Sequence, residues 1–197
     1  VCVKEFHDAG RVRVAYRDSV SRATRGRSDG ESTPHLLTDD TPCDSIFFGR
    51  PQCLRNYQSN DVVSEWRNGA YKSPSFRIYG GPPETITIFG YKIVKCWPLK
   101  YRSAMVSPIR FIQAQSTTKK IPAAGSTSGS TWDYWGFLCI DANKRNIFDF
   151  RRQSNIAASF ADVLYVYFNE VYHQVDRYTA PGKTPKETKH EAQVSTR

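Results

Sequence analysis

The sequence predicts an α+β domain in which an antiparallel sheet is closed by a long C-terminal helix. Three stretches carry that reading. Met105–Gln113 and Trp132–Ile140 are rich in β-branched and aromatic residues and read as strands with covered faces. Gln115–Ser130 between them is a Ser, Thr, Gly and Pro stretch that suits a flexible hairpin loop, so the two strands should pair antiparallel at the centre of the sheet. Toward the C-terminus, Ile156, Phe160, Leu164, Tyr167, Phe168, Val171 and Val175 recur on one broad helical face, with Ser154 or Asn155 placed to cap the start. Phe160 and Leu164 are expected in the core.

The remaining elements follow in order. Val12, Tyr16, Val20 and Ala23 fall at helical spacing among Arg11, Arg13, Arg17 and Arg22, which predicts a basic amphipathic helix in an N-terminal segment, residues 1–30. Its arginines form a solvated face or face anionic lipid. Asp29–Pro42 reads as a loop, and Cys43–Ser75 as short helices and loops over a sheet. Asn60-Asp61 ahead of Val62-Val-Ser-Glu65 predicts a capped helix start. Gly80-Gly-Pro-Pro83 is a break, and Thr85–Trp97 reads as a strand. Pro108 inside Met105–Gln113 requires a bulge or an edge, because proline has no N–H to give the ladder. Asp141–Asn146 is a polar turn, and the residues after Tyr178 are polar enough to expect a disordered tail at 179–197. The body of the domain is then 31–178.

At 197 residues the chain fits one globular domain. A net charge of +9 and a pI near 9.4 favour anionic partners. The chain starts at Val1 and its one Met is Met105, so it is expected to be a piece of a longer or processed protein. An upstream effector or membrane segment could then tether it to the inner face of a membrane. Five cysteines without a Cys-x-x-Cys pair favour a reducing, cytoplasmic setting over a disulfide framework.

Motifs for catalysis are missing. His7, His35, His173 and His190 are dispersed, and no phosphate-binding glycine loop or nucleophile elbow is present. Asp141-x-Asn143 starts like a calcium loop, but Asn146 and Arg152 stand where Gly and Glu are required. No catalytic residue, metal or cofactor is expected. Charge is more informative: no acid lies between Glu84 and Asp133, while Lys92, Lys95, Lys100, Arg102 and Arg110 alternate there with Phe89, Tyr91, Trp97 and Tyr101. Cations for phosphate and rings for a base suit a nucleotide-like anion. The plain alternative is that long basic stems cover a sheet edge.

Tyr101-Arg-Ser-Ala-Met-Val-Ser-Pro-Ile109, then Trp135-Gly-Phe-Leu-Cys-Ile-Asp141, then Phe160-Ala-Asp-Val-Leu164, follow one another in an order and spacing that resembles a GAF domain, from about Ile86 to Phe168. The resemblance implies a central antiparallel sheet of five or six strands, with terminal helices packed on one face and a ligand pocket under loops on the other. It also implies a sensory role: such domains bind cyclic nucleotides, tetrapyrroles or other small molecules, or dimerise. Arg110 and Lys92 would then supply cations and Tyr101, Trp97 and Phe89 ring surface, with Asn60 and Asp61 reaching from the Cys43–Ser75 roof. Nothing around Cys43 or Cys53 resembles a bilin attachment site. Cyclic-nucleotide-binding members carry an Asn-Lys…Phe…Asp-Glu motif; here Asn143-Lys144 and Phe148 are followed by Arg151-Arg152-Gln153 in place of the acids. The expected protein is a cytoplasmic sensor of a small anionic ligand, a nucleotide or cyclic (oligo)nucleotide. It would signal and homodimerise through Val12–Ala23 and Asn155–Val175. The alternatives are a ligand-free dimerising adaptor or a basic module contacting nucleic acid.

Overall fold

A computed structural model describes residues 1–8, 10–19, 33–48, 56–113 and 131–179. β1 (Cys2–Asp8) and β2 (Arg11–Arg17) form an antiparallel hairpin, turning at Gly10 with a φ of 112° that a side chain would strain. β3 (His35–Leu36) borders β2 and runs through a 3-10 turn, Leu37–Asp39, into α1 (Thr41–Phe47). β4 (Tyr57–Ser59) leads to α2 (Val62–Arg67) and the short α3 (Ser75–Ile78). A hairpin of β5 (Glu84–Ile88) and β6 (Tyr91–Cys96) precedes the long pair β7 (Ser103–Gln113) and β8 (Thr131–Ala142). The chain then enters α4 (Phe150–Thr179). The result is a mixed α+β fold, with a curled six-stranded antiparallel sheet of order β3-β2-β1-β8-β7-β4 and β5–β6 as a separate two-stranded sheet.

Alternation along the strands splits the core into two layers. Val3, Ile109 and Leu138 point to one face, where Ala161 of α4 is buried against them. Cys2, Val106, Phe137 and Cys139 point to the other, where Leu37, Cys43, Ile46 and Phe47 cover them. A third cluster joins α2, α3 and the approach to β7, with Val62, Tyr71, Phe76, Leu99 and Tyr101 buried and Trp66 and Trp97 against them. At the crossing of β1 and β8, Gly136 leaves no room for a side chain: a Cβ there would stand 2.0 Å from the Lys4 carbonyl oxygen. That glycine belongs to the Gly-Phe-Leu-x-Ile pattern, and its absence of a side chain is what lets the two strands approach.

Several expectations hold. β7 and β8 pair antiparallel throughout their length; β8 lies at the middle of the sheet as expected, beside β1, whereas β7 lies off-centre, next to the edge strand β4. Pro108 sits beside a register shift at Ile109/Arg110 and beyond the stretch of β7 that β4 covers, so the expected bulge and the expected open edge both occur there. Asp61 caps α2, its carboxylate accepting from Ser64 N at 3.2 Å. No helix among the described residues is long and apolar enough to cross a membrane.

Others are corrected. Residues 11–17 form a strand, not the start of a helix, because Val12 and Val14 alternate into the core while β1 supplies a partner. The N-terminal segment is thus part of the central sheet, and of the two terminal helices expected on one face only the C-terminal one packs there. Thr85–Trp97 is a hairpin and no part of the main sheet. It breaks at Phe89-Gly90, whose φ values of 49° and 78° are those of a two-residue turn of the twisted-hairpin type. α4 begins earlier than expected, with Asp149 as its cap: Asp149 Oδ1 accepts from Arg151 N at 3.1 Å, and Gln153 Oε1 accepts from Asp149 N at 2.9 Å. Its inward stripe is Ala157 and Ala161, both buried, with Leu164 and Phe168 half-buried beside them and Phe168 stacked on Trp135 at 3.9 Å. Phe160 is 62% exposed and no core residue. The two alanines let the helix lie close to the sheet, which places the larger residues one position round the helix on the outside. The expected loop at 115–130, the tail at 180–197 and the end of the expected N-terminal helix at 20–23 lie outside the described residues.

Candidate functional site

On the sheet face opposite α4 lies a cavity of about 410 Å³, within the range of small-molecule sites. Its floor is β1, β2, β7 and β8, through Cys2, Lys4, Arg17, Val106, Cys139 and Asp141. Its roof is the segment around β3 and α1 (Pro34, His35, Asp40, Pro42) and the segment into α3 (Tyr71, Ser73, Ser75, Arg77), with Tyr101 at the side. The two roof segments are tied by Thr41 N to Lys72 O at 3.2 Å and Lys72 N to Thr41 Oγ1 at 2.8 Å.

The electrostatic centre is Lys4 with Asp40. Lys4 stands at an inward position of β1, between Cys2 and Phe6, where the strand pattern calls for an apolar residue. A charge there needs a partner. Asp40 supplies it: although it occupies the cap position of α1, its side chain caps nothing and turns to the Lys4 ammonium. His35 Nε2 lies 3.3 Å from the same carboxylate oxygen, and Cys43 Sγ lies 4.0 Å from Lys4 Nζ. Burial acts to raise the Asp40 carboxyl, but the Lys4 charge and the His35 contact outweigh it and hold it near a pKa of about 2. Burial likewise acts to depress the Lys4 ammonium, and Asp40, aided by the neighbouring thiols, carries it well above the ordinary lysine value. Lys4 is therefore a fixed cation.

A second polar group stands opposite. Tyr71 and Tyr101 share a hydrogen bond of 2.9 Å, and Ser73 Oγ lies 3.3 Å from the Tyr101 hydroxyl. Burial, the first cause in each case, pushes both phenols up, so both hydroxyls stay protonated and able to donate. The thiols on the floor are held protonated as well. Cys2 is raised by its hydrogen bond with Cys139 and by burial. In Cys139 the bond with Cys2 acts downward, and the one with Cys43 and burial prevail. Among the described residues, no group of three or more His, Cys, Asp and Glu side chains could hold a metal ion. Fixed cations and protonated hydroxyls equip the cavity for hydrogen-bonded recognition. Three cations (Lys4, Arg17, Arg77) and two carboxylates (Asp40, Asp141) line it.

Of the residues expected at a site, Tyr101 alone lines this cavity. Arg110 lies elsewhere on the same sheet face, its Nη1 3.2 Å from the Tyr134 hydroxyl and its guanidinium 5.8 Å from that ring's centre. Trp97 donates Nε1–H to the Tyr101 carbonyl at 2.7 Å and packs edge-on against Trp66 and Phe76, which makes it a brace for Tyr101. Lys92 lies over the Trp66 ring at 4.5 Å, and Phe89 sits at the hairpin tip, 95% exposed. Asn60 is a bolt between loops: Nδ2 donates to Phe148 O and Oδ1 accepts from Phe148 N, both at 3.0 Å. Asp61 caps α2 and pairs with Arg145 at 3.1 Å. The residues missed were Lys4, Arg17, His35, Asp40, Tyr71 and Ser73. One signal could have found the first of them, a lysine between the apolar Cys2 and Phe6 on the inward side of a strand.

Comparison of the chain with protein-family models, curated proteins and solved structures finds no match.

Proposed function

We propose that this chain is a GAF-like sensory domain that binds a small anionic ligand, nucleotide-like in having a phosphate and a polar ring. The observation that carries the reading is the cavity of about 410 Å³, walled by the half-buried Lys4 with its partner Asp40, by the buried Arg17 and by paired tyrosine hydroxyls, on the sheet face away from α4. Cations that are already desolvated and held in place bind an anion with little further ordering cost. Tyr71, Tyr101 and Ser73 then serve the polar edge of the ligand. β1 is the route outward: Cys2 and Lys4 face the cavity while Val3, between them, packs in the cluster beneath α4. A ligand that shifts β1 thus biases the helix.

The test is thermal denaturation of the chain against mono-, di- and cyclic nucleotides, with the uncharged nucleosides as controls. A ligand at a hundred times its Kd should add about 2.7 kcal/mol of stability. A phosphate-bearing ligand should raise Tm, the matching nucleoside should do so less, and Tyr101→Phe should reduce the shift. No shift with any phosphate compound would remove the reading. The second reading, a dimerising adaptor, is favoured by the outer face of α4, where Ile156, Phe160, Val163, Val166 and Tyr167 are each more than half exposed. Sedimentation would then give a dimer with no ligand response.

A further inference from the structure

The β5–β6 hairpin carries an apolar surface that neither the cavity nor the sheet explains. Ile86 pairs across the strands with Ile93, and Ile88 with Tyr91. These four share one face, with exposures of 44%, 42%, 43% and 76%. The opposite face carries Thr85 and Val94, half-buried toward the body, and nearer the tip Thr87 and Lys92, both exposed, with the Lys92 ammonium 4.5 Å from the centre of the Trp66 ring. Phe89 crowns the turn at 95% exposure. Its φ of 49° belongs to a position where Asn, Asp or Gly is preferred, so the chain accepts backbone strain to hold a bare phenyl ring at the outermost point.

Charge identifies the occupant. From Thr85 to Gln113 there is no acid, and Lys92, Lys95, Lys100 and Arg102 are all exposed. The one carboxylate of the hairpin, Glu84, stands at its far end from the tip. At about 3.3 Å per residue, Lys92 sits about 7–10 Å behind the tip, and Lys95 about 17–20 Å behind it. Apolar groups of interfacial anchors enter roughly 5–10 Å of a bilayer, which leaves Lys92 level with the headgroups and Lys95 outside them but within about a Debye length of the charged surface. Five side chains are also few for a protein interface, which covers about 20–30 residues a side.

We propose that this hairpin is a membrane-docking element: Phe89, Ile88 and Tyr91 enter the boundary of an anionic bilayer, Lys92 meets its lipid phosphates and carboxylates, and Lys95 adds attraction to the charged surface from just outside. A hairpin with few anchors binds reversibly, and its strength depends on anionic lipid content. The site is independent of whatever fills the cavity.

The test is co-sedimentation of the full chain with vesicles of phosphatidylcholine alone and of phosphatidylcholine with a third phosphatidylserine, at low and high salt. The wild type should partition at least tenfold better onto the anionic vesicles and lose that preference in high salt. Phe89→Asn suits the turn and removes only an exposed ring, so Tm should hold or rise while vesicle binding falls at least tenfold. Lys92→Glu with Lys95→Glu should abolish the preference for anionic lipid. Absence of vesicle binding by the wild type would overturn the proposal, as would equal binding by Phe89→Asn. So would self-association of the wild type that Phe89→Asn abolishes, since the face would then be a contact between copies of this chain.

Discussion

Replacing Lys4 with Met tests the electrostatic centre of the cavity. The substitution keeps an unbranched side chain on β1 and removes the ammonium from a pair in which the side chains are 15% and 4% exposed. Asp40 is then left buried with His35 alone, and breaking a buried pair in this way costs about 3–5 kcal/mol. The pH dependence gives a sharper criterion. In the wild type the Asp40 pKa falls from 3.8 to about 2, a contribution on the order of 2 kcal/mol that is present above the unfolded value and is lost as pH falls from about 4 toward 2. Without Lys4 the strongest force lowering that carboxyl is gone, and burial, the largest single influence on it, pushes its pKa above the unfolded value. A raised carboxyl destabilises the fold at neutral pH and ceases to do so as it takes up its proton in acid. The deficit of Lys4→Met should therefore be largest near pH 7 and shrink by pH 4. Urea denaturation at pH 7.5, 5.5 and 4 measures it, and Lys4→Met with Asp40→Leu should recover much of the loss. A deficit under about 0.5 kcal/mol, the size of an ordinary surface change, would refute the reasoning. So would a deficit that grows in acid.

Two further outcomes bear on the fold. Phe160→Ala should change monomer stability by no more than about 0.5 kcal/mol, since the ring is 62% exposed, whereas Ala161→Leu should cost about 1–3 kcal/mol by forcing α4 off Val3, Ile109 and Leu138. Chemical denaturation of both variants checks the assigned phase of the helix. Gly136→Ala should destabilise by about 3 kcal/mol or more, because its Cβ would meet the Lys4 carbonyl oxygen at 2.0 Å and backbone cannot yield as a side chain can. A melting temperature close to that of the wild type would mean that β1 does not cross β8 there.

What the sequence determined by itself were the features written in local chemistry. β7 and β8 were legible because their β-branched and aromatic runs allow little else, and Asp61 because a carboxylate ahead of Val62-Val63 satisfies open helix amides. Helix α4 was legible as a helix, but its phase was not. The apolar residues lie on both faces, and only contact with the sheet decided that the small Ala157 and Ala161 go inside. The same holds at the N-terminus, where Val12, Tyr16, Val20 and Ala23 at helical spacing outweighed the Val12 and Val14 alternation until β1 offered a ladder. For the cavity, tertiary structure decided nearly everything. Lys4, the His35–Asp40 segment and Tyr101 lie far apart along the chain, and no spacing in the sequence joins them. Asp40 reads in sequence as a cap before Thr41-Pro42, and it turns inward because a lysine ammonium buried on the sheet requires a counter-charge more than the helix requires a cap.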